Sequence, residues 1–81
     1  MTLDTVVRRA IRDAPCSIRA LAREAGVSHA MLAAIVTGQE RATARVALRV
    51  AEALDRWTAR CAKGAAAVRA VIGALKTKEG T

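Results

Sequence analysis

Aromatic side chains are almost missing from this 81-residue chain, which has no Phe, no Tyr and a single Trp, Trp57. Sheets are usually rich in aromatic and β-branched residues, whereas Ala, Leu, Val and Ile fill the space between helices well. Proline is equally scarce: Pro15 is the only one, so long stretches are free to be helical. One histidine, His29, and two isolated cysteines, Cys16 and Cys61, leave no ligand spacing for a metal within one chain. Two separate thiols fit a reducing compartment. No apolar run approaches the ~20 residues of a membrane span. Met1 leads directly into a charged amphipathic segment rather than a signal peptide. No catalytic residue, metal, cofactor or membrane partner is expected, and the protein is expected to be cytoplasmic.

Negative charge is the other shortage. Seven Asp and Glu stand against fourteen Lys and Arg, a formal charge of +7 and a pI near 11.1. Such a balance favours a polyanion: nucleic acid first, an anionic membrane surface second. Length adds a further limit. A chain this short buries only about 60% of its unfolded surface, so a second source of stability such as a dimer interface is expected.

What is present is helical punctuation. Thr2 or Asp4 starts a first helix that carries Leu3, Val6, Val7, Ala10 and Ile11 on one face and runs to about Asp13. Pro15 stops it. Ser17 caps a second helix with Ile18, Leu21, Ala22 and Ala25 at helical spacing, and Gly26 ends it. After Val27, a buried hinge residue, Ser28 caps a third helix whose inward residues are Leu32 and Ile35. Gly38 closes that helix. Thr43 caps a fourth, with Val46, Ala47, Val50, Ala51 and Leu54 facing the core. An alanine-rich helical stretch follows from Asp55 to about Lys76, weakened at Gly64 and Gly73 by about 1 kcal/mol each relative to alanine. Two short helices joined as tightly as those around Gly26 must cross steeply, the geometry that sets a helix into a DNA major groove.

Residues 17–54 resemble the lambda repressor/Cro-like (XRE) helix-turn-helix family. The resemblance rests on Leu21-Ala22, Ala25-Gly26-Val27-Ser28, Leu32, Ile35, Gly38, Val46-Ala47-Leu48 and Ala51-Glu52-Ala53-Leu54. It implies that Ser28, His29 and Ala30, then Ala33 and Ala34, face DNA bases. It implies phosphate contacts from Ser17, Arg19, Gln39, Arg41 and Thr43. Arg45 joins that set, with ordinary solvated charge as an equal alternative. The chain departs from the family in having Ile18 and Val36 where many members have glutamine and glutamate. Alanines cannot hydrogen-bond; they can touch a thymine methyl or allow close approach. Ser28 and His29 are thus the principal polar readers.

The last helix carries a stripe of its own: Trp57, Cys61, Gly64, Val68, Val71 or Ile72, and Leu75. An apolar stripe of that length either folds back on the core or pairs with a second copy, and pairing is favoured. The expected fold is all-α, with four to five helices. A helix-turn-helix DNA-binding core occupies residues 1–55, a dimerisation helix 56–77 and a frayed tail 78–81. The expected function is sequence-specific binding of double-stranded DNA at a palindromic operator, as a homodimeric repressor of phage or bacterial origin. The alternative is a protein-interaction module, an antitoxin or anti-repressor, that uses the same scaffold to grip a protein partner.

Overall fold

The computed structural model describes residues 2–79, with side chains through Lys76. It contains four helices: α1 Leu3–Asp13, α2 Ile18–Ala25, α3 His29–Thr37 and α4 Ala44–Glu79. No strand occurs among the described residues. Thr2 is the cap of α1, its hydroxyl accepting from the Thr5 amide at 3.2 Å. The backbone turns extended at Ala14 (ψ 140°), as the residue before a proline must, and α1 ends there.

The turn between α2 and α3 depends on Gly26, whose φ of 71° is left-handed. The Val27 amide reaches back to the Ala22 carbonyl at 3.0 Å, closing the end of α2. Ser17 and Ser28 then cap α2 and α3 through bonds of 3.0 Å from the Ala20 and Met31 amides. Gly38 repeats the device after α3, with φ 84°.

The core is wholly apolar. Leu21, Leu32, Ile35 and Ala53 are sealed from solvent, and Val7, Ile11, Ala22, Ala25, Val46 and Val50 pack around them. Its size is modest. The residues expected along one face of α1 are in fact shared between two environments. Val7 and Ile11 are buried, Ala10 is half-buried, and Leu3 and Val6 are each 46% exposed. Ala51, expected to face the core, is exposed, while Ala47, Leu54 and the hinge residue Val27 are half-buried. Leu3, Val6 and Ala51 instead border an open apolar groove between α1 and α4, with Leu48 and Leu54.

The two helical stretches expected either side of Asp55 are one helix of 36 residues, about 54 Å long at 1.5 Å per residue. It has no proline and no capping break, and glycine alone is too weak to interrupt so many alanines. The molecule therefore measures 60 × 25 × 18 Å: a small head with a rod leaving it. Of the expected frayed tail, Lys78 and Glu79 belong to the helical backbone, and Gly80 and Thr81 lie outside the described residues.

Candidate nucleic-acid interface

Two chain segments meet along one groove of the head, the start of α3 and the loop into α4, whereas Ser17 and Arg19 at the start of α2 do not line it. Each is set by a cap. Ser28 holds the first turn of α3 open, and Ser28, His29 and Ala30 are all exposed. Ala33 and Ala34, one turn later, are half-buried, so only their outer edge is available. Ser17, Arg19, Gln39, Arg41, Thr43 and Arg45 are exposed. The Thr43 hydroxyl is engaged as the α4 cap, accepting from the Val46 amide at 3.2 Å.

The loop carrying Gln39 and Arg41 is fastened from both sides. The Gln39 and Glu40 amides donate to the Ala34 carbonyl at 2.9 and 3.2 Å. From α1, the Asp4 carboxylate accepts from the Ala42 amide at 2.6 Å. Arg8 Nε donates to the Ile35 carbonyl at 3.2 Å, placing a cation at the negative end of α3. Neither Asp4 nor Arg8 stands out in the sequence, because their partners are 38 and 27 residues away.

Between the start of α3 and the first turns of α4 lies an open groove of about 640 Å³. Ser28, Met31, Arg41, Thr43, Arg45 and Arg49 are on its walls. Sequence reasoning missed two of these. Met31 is 40% exposed, three residues after the capping serine and on the same turn as His29 and Ala30; helical spacing alone could have found it. Arg49 lies one turn beyond Arg45, and its guanidinium is 3.4 Å from where a Cβ on Gly26 would sit. Gly26 is required by its backbone angle, whereas a Cβ there would meet Arg49 only in ordinary contact. Arg19, Arg41, Arg45 and Arg49 make no ion pair among the described residues, where the ion pairs are those of Glu24.

Glu24 lies near the end of α2, and its partner Arg56 lines a second groove with Arg45 and Arg49. Its carboxylate receives Arg56 Nε at 3.0 Å and a terminal nitrogen of Arg60 at 3.1 Å, and Arg56 also donates to the Glu24 carbonyl at 2.8 Å. Those hydrogen bonds, Arg60's first and Arg56's second, hold the carboxyl below its ordinary range. Arg23, beside Glu24 in sequence, is exposed and makes no ion pair among the described residues. Burial pushes the Cys16 thiol up from its ordinary value, with a smaller push from Cys61.

Of the expected dimerisation residues, Trp57 is half-buried, with the Arg60 guanidinium carbon 5.3 Å from its ring centre. Cys61, Gly64, Val68, Val71, Ile72 and Leu75 are all exposed. A side chain at Gly64 would meet nothing within 4 Å. No group of three metal-ligating side chains occurs among the described residues. None of their helices is long and apolar enough to cross a membrane.

A family model described as Helix-turn-helix matches residues 9–56, from the middle of α1 into α4. No curated protein and no solved structure matches the chain significantly.

Proposed function

Because the chain belongs to the lambda repressor/Cro-like (XRE) helix-turn-helix family of DNA-binding regulators, we propose that it is a sequence-specific, homodimeric transcriptional repressor. It would act in the cytoplasm of a bacterium, encoded by the host or by a phage. One observation carries this reading: the open start of α3 shares a groove with Arg41, Arg45 and Arg49, which the fold leaves without an acidic partner among the described residues.

In the proposed complex, Arg19, Arg41 and Arg45 hold phosphates, with Ser17, Gln39 and Thr43 adding polar contacts. Arg49 extends that cationic wall. Phosphate contacts set position and supply salt-sensitive affinity; base contacts specify. Ser28 and His29 supply hydrogen bonds to base edges. Ala30, Ala33, Ala34 and Met31 offer an apolar surface suited to thymine methyls. Two copies related by a two-fold axis, joined through the α4 stripe, would place two such helices about 34 Å apart on a palindromic operator. Repression follows from occlusion of a promoter.

A salt titration tests the DNA reading. Log affinity for a selected duplex should fall steeply with log salt, by roughly 0.9 per phosphate contact. Arg41→Ala should weaken binding to all duplexes alike and reduce that slope by about 1, whereas His29→Ala should change the preferred sequence. Wild-type behaviour in both variants would remove α3 from the groove. A pull-down that recovers one stoichiometric protein, with no retardation of DNA, would support the protein-interaction alternative instead.

A further inference from the structure

Eight large apolar side chains are exposed among the described residues, and seven of them fall into two groups. Leu3, Val6 and Leu48 border the groove between α1 and α4; Val68, Val71, Ile72 and Leu75 lie on the free half of α4. The eighth, Met31, belongs to the interface described above. We infer that the two groups cover each other in an antiparallel dimer, the free half of each α4 lying in the α1–α4 groove of a second copy. This rests on the homodimer reading and specifies how the copies meet.

The periodicity of α4 links the two groups. Ala47, Leu54, Cys61, Val68 and Leu75 recur every seven residues through one unbroken helix. Midway between them fall Ala51, Thr58, Ala65 and Ile72, three small residues and one large. The combined spacing alternates four and three without a slip from Ala47 to Leu75, the signature of a left-handed two-helix seam. Its first third lines the groove and its last third is the exposed tail. A seam that begins in an open groove and ends on a bare helix is satisfied when the two ends of different copies are laid together.

Charge fixes the direction. With the two-fold axis at Lys63, Leu54 of one copy lies opposite Ile72 of the other, and Ala51 lies opposite Leu75. Beside that seam, Asp55 then lies on the same flank as Arg69 of the second copy, about 3 Å apart along the axis and within side-chain reach, twice by symmetry. Both residues are exposed, and neither has an ion-pair partner among the described residues. A parallel pairing in register through Trp57, Gly64 and Val71 keeps Asp55 and Arg69 of the two copies about 21 Å apart along the axis and leaves both without a partner. It also leaves Leu3, Val6 and Leu48 in water and draws on a tryptophan already covered on one face by Arg60.

Cross-linking tests the direction at two exposed positions, Asp55 and Arg69. In the full chain carrying Cys16→Ser and Cys61→Ser, Asp55→Cys and Arg69→Cys are made separately and treated with a short bis-maleimide, alone and mixed. Cross-linked dimer should form in the mixture and hardly at all in either variant alone. In the native chain, Arg69→Asp should raise the dimer dissociation constant roughly tenfold, and mixing it with Asp55→Arg should restore tight association as a heterodimer. Self-cross-linking of each variant alone overturns the antiparallel arrangement while keeping the homodimer. A monomeric wild-type mass in sedimentation overturns both. DNA retardation measured on the same samples separates either failure from a failure of the DNA reading.

Discussion

At Asp4 a single carboxylate on α1 determines where a loop 38 residues away can go, because Ala42 is only 8% exposed and its amide has that oxygen as acceptor. Asp4→Ala leaves the amide buried without a partner, a cost of about 1–3 kcal/mol. Asp4→Asn keeps a carbonyl oxygen in place and should lose less. Urea unfolding of the two variants checks the order, and equal losses would mean that charge rather than the bond matters. Because the same loop carries Gln39 and Arg41, Asp4→Ala should also weaken DNA retardation without touching a phosphate. Ser28→Ala acts at the other edge of the interface. It removes the acceptor for the Met31 amide and should cost about 1 kcal/mol, the usual worth of an N-cap.

Between elements, the bonds from α4 to Glu24 tie the end of α2 to the long helix. Its folded carboxyl sits below the ordinary range, so the unfolded state binds its proton first as pH falls. The latch therefore contributes fully at neutral pH, and the contribution disappears as pH drops through the lowered folded value. Thermal unfolding should show wild type melting above Glu24→Gln at neutral pH, with the gap closing in acid. A gap that survives strong acid would assign the effect to packing. The contrast with the caps explains what the sequence could tell. Thr2, Ser17, Ser28, Thr43, Gly26 and Gly38 act on amides and carbonyls within a few residues, so their roles are legible in order along the chain. Glu24 pairs across 32 and 36 residues, and helical spacing does not say which arginine will arrive. The same limit hid Asp4 and Arg8, and it hid the split of α1 into a buried and an open face, since Leu3 and Val7 share a helical stripe whatever covers them. At the candidate interface, the capped start of α3 was readable, whereas Arg49 became visible only once Gly26 was seen beside it.

On the scale of the whole molecule, the head and the rod make different demands. The head closes a small core around Leu21, Leu32 and Ile35; the rod beyond Trp57 touches none of it, with Val68 59% and Ile72 46% exposed. In the proposed dimer, substitutions there remove association without disturbing the fold of the head. Val68→Ser with Ile72→Ser should leave the melting of the head nearly unchanged once dimer dissociation is allowed for, because neither side chain packs within its own chain. The consequence for DNA is large. A dimer bound through one head holds the second near its half-site at an effective concentration in the millimolar range, so linkage is worth 10²-fold or more in affinity. The double variant should lose roughly that factor on a duplex with two half-sites and little on a duplex with one, measured by retardation at fixed salt. Equal losses on both duplexes would show the tail contacting DNA directly, and no loss on either would show the heads binding independently.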